Sequence, residues 1–428
     1  METEIKENKT GYLMDPGTQT PGTSSGMSSG TISASETVSI TRCNSYDIEE
    51  LTEGIKKCVG MLGGFKKFIG TSKKIILKPN LLSASNPDLA VTTHPAFIEA
   101  IINIIKKVCV PGTKIIIADS PGVSTPHTKK DLKRLYKECG LSHLGEMENV
   151  ELNLDTGFSE ISFKEGKVLK HLEIIKPVLE ADLIINMPKF KTHNLTKITG
   201  AVKNMFGSIY GRTKTLLHTK FMDIAKFSDM NLDVYLYCKP ALNVMDGVIS
   251  LEGEGPGASG KPRNTGLILA AINGIALDNV VAELMGFKRG IIPLLQCAAQ
   301  RGIKGAELEE INILGGELAD FACENFILPK KSPVDAISKN RFLNTYIFPF
   351  IRNNLSLSPY ENIKECTMCK TCIEVCPEKA ISEGQGVLVF DYKKCIRCFC
   401  CSEMCPYGAI DLKYSALGNL IFGRKNIK

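Results

Sequence analysis

Short apolar runs alternate with longer amphipathic stretches through the middle of the chain. Most of the short runs stop at polar or turn-forming residues. Residues 74–77 are a β-branched run that ends at Lys78-Pro79-Asn80. Pro95 opens a stretch of helical periodicity that continues to Val108, and proline suits a helix's first turn. Residues 114–118 predict a buried strand ending at Asp119-Ser120-Pro121-Gly122, followed by a helix over 129–139. Further strands are predicted at 182–186, 241–245, 265–271 and 311–314, with a helix at 276–285. Short buried strands alternating with helices predict an α/β domain, with a largely parallel sheet and flanking helices, over residues 37–328.

The flanks read differently. Residues 1–36 are rich in Thr, Ser and Gly and cannot bury enough apolar surface to offset ordering entropy, so they predict a disordered tail. Residues 329–360 contain Pro329, Pro333, Pro349 and Pro359 and predict a connector. A cysteine-rich module follows at 361–413, and a short tail from Tyr414 is basic at its end.

At 428 residues, 43% hydrophobic and 23% charged, the chain is long enough for two or three domains. A net charge of +6 is too small to argue for nucleic acid. The sixteen cysteines change the picture. The first thirty residues carry no signal-peptide pattern, and no run reaches the ~18–20 apolar residues that span a bilayer. The expectation is a cytoplasmic protein without a membrane span, in a reducing, anaerobic setting. There, clustered cysteines point to metal or catalysis rather than to disulfides.

The cysteines fall into two runs, Cys366-x2-Cys369-x2-Cys372-x3-Cys376-Pro377 and Cys395-x2-Cys398-x2-Cys401-x3-Cys405-Pro406, repeating at a period of 29 residues. This is the bacterial dicluster spacing, in which three cysteines of a run bind one cubane and the fourth binds the other. Cys366, Cys369, Cys372 and Cys405 are expected on one [4Fe–4S] cluster, and Cys395, Cys398, Cys401 and Cys376 on its partner. Zinc is the competing metal, but its sites favour two separated pairs over x2-x2 steps. The clusters could also simply brace the fold. Cys400 lies outside the ligand register and is expected to pack as a small side chain. The module resembles ferredoxins of the double [4Fe–4S] type, which implies a small α+β dicluster domain that shuttles single electrons.

In open α/β sheets ligands bind beyond the carboxyl ends of strands. Lys78, Asn80, Asp119, Ser120, Lys189 and Asp246 all fall where a predicted strand stops, although caps and turns use the same residue types. From Lys189 to Lys220 the chain carries Lys189, Lys191, Lys197, Lys203, Arg212, Lys214 and Lys220 with His193 and His218, and no acid. Within it, residues 194–206 predict a helix. A one-sign field in a cleft focuses anions, while a solvated basic surface would read the same way. Aromatics are too sparse there for nucleic-acid stacking. The loop from Gly253 to Arg263 matches most of a phosphate-binding Gly-x4-Gly-Lys pattern. It fails at Pro262, where Ser or Thr would hold Mg²⁺, and in having a strand after it. It is expected to be a mobile loop that closes over an anion with Lys261 and Arg263 as donors.

The strings Lys-Pro-Asn (78–80), Thr-Thr-His-Pro (92–95), Ala-Asp-Ser-Pro-Gly (118–122), Asn-Met-Pro-Lys-Phe-Lys-Thr-His (186–193), Thr-Gly-Ala-Val-Lys-Asn-Met-Phe-Gly (199–207) and Asp-Gly-Val (246–248) resemble the family called domain of unknown function 362. The resemblance implies an iron–sulfur protein of anaerobes and brings no settled reaction.

Three functions compete. In a ferredoxin-dependent oxidoreductase, a low-potential protein partner would exchange electrons with the clusters and these with an anionic substrate. Lys78, Lys189, Lys191, Lys203 and Lys261 would bind that substrate, and Asp119, His193 and Asp246 would move protons. No flavin or nicotinamide fingerprint is present. A dedicated electron carrier would instead use its lysine-rich face to dock a partner enzyme. A non-redox enzyme or binding protein would keep the clusters for structure or oxygen sensing.

Overall fold

The computed structural model describes residues 36–122, 127–221, 223–330 and 357–414. The expected N-terminal tail up to residue 35, most of the connector (331–356) and the tail from 415 lie outside the described residues. The N-terminal domain contains strands β1 (Thr37–Arg42), β2 (Lys74–Pro79), β3 (Lys114–Ile117), β4 (Val150–Leu152), β5 (Phe158–Ser162), β6 (His171–Ile175), β7 (Leu183–Met187), β8 (Lys189–His193), β9 (Lys197–Ile198), β10 (Leu242–Gly253), β11 (Gly260–Ala271) and β12 (Asn312–Leu314).

The main sheet runs β12-β1-β11-β10-β7-β2-β3-β4. Every neighbouring pair is parallel except those made by β11, which is antiparallel to both β1 and β10. The strand period of two sorts side chains to opposite faces. Ile75, Leu77, Ile115 and Ile117 enter one core, while Ile76, Ile116, Ile184 and Ala118 enter the other. Helices cover both faces, as a mostly parallel sheet requires. The helix Pro95–Val108 starts where the sequence predicts: His94 Nδ1 accepts the amide N–H of Ala96, and Phe97, Ile98, Ile101, Ile102 and Ile105 are buried. Each such side chain contributes roughly 1.5–3 kcal/mol of burial free energy.

The segment 194–206 is not one helix. It turns through the short β9, becomes a helix only over Gly200–Asn204, and ends in a 3₁₀ turn, Met205–Ser208. Lys197 at φ 70° and Gly200 at φ 65° are left-handed, and a right-handed helix cannot pass through them.

The small module begins earlier than its cysteines suggest. Strand β13 (Leu357–Glu361), in the stretch expected to be connector, pairs antiparallel with β16 (Ile410–Tyr414), and β14 (Ile381–Gly384) pairs with β15 (Val387–Phe390). Its backbone repeats with the cysteine runs. Met368 and Arg397, Lys370 and Phe399, and Lys379 and Gly408 occupy equivalent positions and all have positive φ.

The module packs on the loop between β10 and β11. A Cβ at Gly257 would lie 2.2 Å from the Glu403 carbonyl oxygen, so the two backbones touch. Ser259 Oγ donates to the Gly408 carbonyl at 3.4 Å, and Lys330 Nζ to that of Leu412 at 3.1 Å. The loop expected to close over an anion is thus a seat for the dicluster module.

Candidate functional site

The carboxyl ends of β2 and β3 deliver Lys78, Asn80, Asp119 and Ser120 to one end of the sheet. The helix Gly200–Asn204 lies across that end. Here a cavity of about 420 Å³, mouth included, is lined by Asn80, Leu82, Asp119, Ser120, Lys191, Thr199, Lys203, Asn204 and Lys214, among others. Six of the polar strand-end and basic residues predicted from sequence therefore meet in one place: Asn80, Asp119, Ser120, Lys191, Lys203 and Lys214.

Their roles differ. Lys78 is fully buried; its Nζ pairs with Asp119 Oδ1 at 2.7 Å and donates to the carbonyls of Pro79 and Asn204. Asp119 Oδ2 accepts the Leu81 N–H at 2.7 Å. The expected substrate lysine and the expected proton carrier thus neutralise each other beneath the cavity. Lys191 Nζ donates to Asn80 Oδ1 at 2.8 Å, the Val91 carbonyl at 2.7 Å and the Pro256 carbonyl at 3.3 Å. Lys214 Nζ donates to the carbonyls of Ser120 and Pro121. No hydrogen bond or ion pair is made by the Lys203 ammonium among the described residues. Burial pushes Lys191 well below the usual lysine range, lowers Lys203, and brings Lys214 down to about 7.

A chain of amides fixes this floor. Lys191 donates to Asn80, Asn80 Nδ2 to Asn204 Oδ1 at 2.9 Å, Asn204 Nδ2 to Asn186 Oδ1 at 2.7 Å, and Asn186 Nδ2 to Asn243 Oδ1 at 2.8 Å. Asn243 Nδ2 ends the chain on the carbonyls of Ala271 and Ile272. The ammonium at one end and the carbonyls at the other set every amide's orientation. Asn186 and Asn243 are missing from the predicted site; the only signal for them is an amide within an otherwise apolar strand.

Two predicted residues belong elsewhere. Asp246 Oδ2 accepts from Lys189 Nζ at 2.7 Å and from the His94 N–H, and its Oδ1 from the Tyr46 hydroxyl at 2.8 Å. This sealed network, with Tyr46 stacked on His94 at 3.6 Å, does not line the cavity. Lys189 and Asp246 are therefore paired with each other, away from the cavity. Lys261 is exposed on β11, and Arg263 is held by Glu252 and the carbonyls of Glu324 and Asn325; neither reaches the cavity.

His193 faces the dicluster module. Its Nδ1 accepts the N–H groups of Leu195 and Thr196, so the ring proton sits on Nε2, which lies 3.3 Å from Glu403 Oε1. Burial and the neighbouring lysines push His193 well below its usual range. Burial raises the Glu403 carboxyl, opposed by Lys203 and Lys191. Glu403 is the acid that the one-sign stretch lacks in sequence, and it arrives from the other end of the chain.

In the module, Cys366, Cys369, Cys372 and Cys405 line one cavity of about 280 Å³, and Cys376, Cys395, Cys398 and Cys401 another of about 350 Å³. The fourth cysteine of each run crosses to the other run's cavity. Among the described residues, no group of three His, Cys, Asp or Glu side chains is placed to hold a single metal ion. The crossing sulfurs already accept backbone bonds: Ala380 N–H to Cys376 Sγ and Ala409 N–H to Cys405 Sγ, both at 3.2 Å. Thiolates around a cage, with N–H donors aimed at sulfur, fit an iron–sulfur cube. Cys400 is buried and packs with Val375 and Met404.

Comparison with known proteins agrees with this division. Residues 75–283 match the family described as Domain of unknown function (DUF362), and residues 358–406 match a 4Fe-4S dicluster domain. Residues 75–283 are thus a DUF362 domain, and a 4Fe–4S dicluster domain follows at 358–406. The chain is accordingly an iron–sulfur protein. A thylakoid-associated protein of Synechocystis sp. is 26% identical over 324 residues, 73% of this chain and 95% of that protein. Two solved structures are similar to this chain at low overlap. The lactate racemase apoprotein from Thermoanaerobacterium thermosaccharolyticum has 15% identity and a TM-score of 0.36, covering 58% of this chain and 56% of that one. A protein from Thermotoga maritima has 12% identity and a TM-score of 0.34, covering 52% and 55%. The chain thus spans just over half the length of each. No helix among the described residues is long and apolar enough to cross a membrane.

Proposed function

We propose that this protein is a ferredoxin-type oxidoreductase that passes single electrons between two [4Fe–4S] clusters and an anionic molecule held in the lysine-lined cavity. The supporting observation is a shared wall. Leu82 lines the cavity and packs on the cluster of Cys398, Cys400 and Met404, while Glu403 faces His193 and the cavity lysines. Cys366, Cys369, Cys372 and Cys405 would hold one cluster, and Cys376, Cys395, Cys398 and Cys401 the other. One-electron exchange is the chemistry the clusters supply when bound.

The chain's own residues do the remainder. Lys191, Lys203 and Lys214 hold the anion, and the packed module keeps water out of the cavity's inner side. His193 offers its Nε2 proton beside Glu403. Asp119 is held in place by its ion pair with Lys78. The outer quartet includes the exposed Cys369, with Tyr407 and Ile363 also exposed in the same module. That side would receive a low-potential protein partner. A dedicated carrier would use the same outer surface but would not need the inner cavity. A reducing, cytoplasmic setting suits sixteen cysteines without a disulfide among those described.

The test uses full-length protein purified anaerobically and reduced with a photoreduced flavin. Small anions extracted from the source cells are then fractionated and mixed with it. A fraction that reoxidises the wild-type clusters, but not those of Lys203→Met with an unchanged visible spectrum, supports the reading. Reoxidation equally fast in the variant, or by no fraction, overturns it.

A further inference from the structure

We infer that the cavity contains a dedicated subsite for a tetrahedral dianionic oxoanion, a phosphoryl group, formed by Ser120 Oγ, Thr199 Oγ1 and the Lys203 ammonium. This deepens the reading of the cavity as an anion site and rests on it. The first observation is a misplaced helix cap. Thr199 is the N-cap residue of the helix Gly200–Asn204, where a threonine hydroxyl ordinarily accepts an N–H of the first turn. Here Asp278 takes that place, accepting the Ala201 N–H and, at 3.0 Å, that of Val202. Among the described residues, Thr199 Oγ1 is buried in the cavity wall without a partner. Ser120 Oγ is the second such atom: its residue is 2% exposed, it lines the same cavity, and its hydroxyl has no partner among the described residues. Buried hydroxyls are hydrogen-bonded in folded proteins, so two orphans on one cavity are a pair of donors awaiting an acceptor.

Charge and donor count select the ligand. Lys191, Lys203 and Lys214 line the cavity, Lys78 is paired with Asp119, and Glu403 faces Lys203 and Lys191, so basic groups outnumber acids around the cavity among the described residues. Lys191 and Lys214 spend hydrogen bonds on backbone carbonyls, whereas the Lys203 donors are free for a ligand. Three ammonium hydrogens and two hydroxyls are more than the about four lone-pair sites of a carboxylate accept comfortably, and they suit a phosphoryl group of charge near −2. The cavity is open at its mouth, so a phosphoryl group can enter either as the free ion or as the end of a small organic molecule that extends outward.

The experiment is calorimetric titration of cluster-loaded, full-length protein with inorganic phosphate, glycerol 3-phosphate and acetate, anaerobically at constant ionic strength. Saturable binding of phosphate or glycerol 3-phosphate, with acetate much weaker, is expected. Tighter glycerol 3-phosphate assigns an organic phosphate, and equal affinities assign the free ion. Thr199→Val and Ser120→Ala should each weaken phosphate about tenfold, and Lys203→Met should weaken it more, with melting temperature and cluster absorbance unchanged. Unsaturable phosphate binding, acetate binding as tight as phosphate, or phosphate affinity unmoved in the two hydroxyl variants overturns the subsite. If phosphate binds as expected while no anion reoxidises the clusters, the redox reading fails and the subsite stands. Reoxidation without phosphate binding gives the reverse.

Discussion

At the scale of single residues, the basic stretch is balanced one lysine at a time. Lys78 and Lys189 each have a buried carboxylate at 2.7 Å. Removing one partner of such a pair leaves a buried charge uncompensated. Asp119→Asn should therefore lower unfolding free energy by about 3–5 kcal/mol in denaturant titration, far more than loss of an exposed pair. Lys214 has no carboxylate, and burial brings it to about 7. Its folded pKa lies below that of the unfolded chain, so between about pH 7 and 10.4 the unfolded chain binds more protons and stability rises with pH. Asp278 works in the opposite sense: burial raises it to about 7, so the stability it contributes is present below about pH 4 and lost as pH rises to 7. In phosphate-free buffer, as pH is raised, melting temperatures should climb less steeply above pH 7 in Lys214→Met, and should drop less steeply between about pH 4 and 7 in Asp278→Asn. Unchanged slopes would contradict these assignments. Local sequence could not separate these lysines, because each partner lies far along the chain.

At the scale of elements, periodicity was a good guide wherever an element buries one face. The helix Pro95–Val108 and the strands at 74–79 and 114–117 follow their apolar patterns closely. It failed at 194–206, where left-handed residues and long-range partners override helical patterning. It also misjudged the loop 254–259, whose glycines suggest a flap. Gly257 is small because the Glu403 backbone lies against it. Gly257→Val should prise the module from its seat. Hydrogen exchange should then speed up along residues 400–410, with the melting of the α/β core nearly unchanged. Protection equal to wild type would show that the seat tolerates a side chain.

At the scale of the whole molecule, two hydrophobic cores flank the large sheet, while the module's own core is little more than Cys372, Ile381, Leu388, Cys401, Cys405, Ala409 and Ile410. So small a core depends on its metal groups for stability. Removing iron with a chelator under reducing conditions should unfold the module first. Calorimetry should then show loss of a separate low-temperature transition and retention of the main one. A single transition lost entirely would mean that the two parts fold as one. The same organisation explains the electrostatics: a stretch of 32 residues (189–220) without an acid is tolerated because Asp246, Asp278 and Glu403 converge on it from later in the chain.

The sequence by itself determined the α/β class, the dicluster module and the eight cysteines grouped around its two cavities, because strand periodicity and x2-x2-x3 spacing are local. It also pointed to Asn80, Asp119 and Ser120 at strand ends, and to Lys191, Lys203 and Lys214 in the acid-free basic stretch. Only the tertiary structure decided which lysines are neutralised and which face the cavity. The same holds for Asp278, which frees the Thr199 hydroxyl, and for the inner wall that the dicluster module forms. Those outcomes depend on contacts between residues from 41 to more than 200 positions apart, such as Lys78 with Asp119 and His193 with Glu403. No pattern read along the chain contains them.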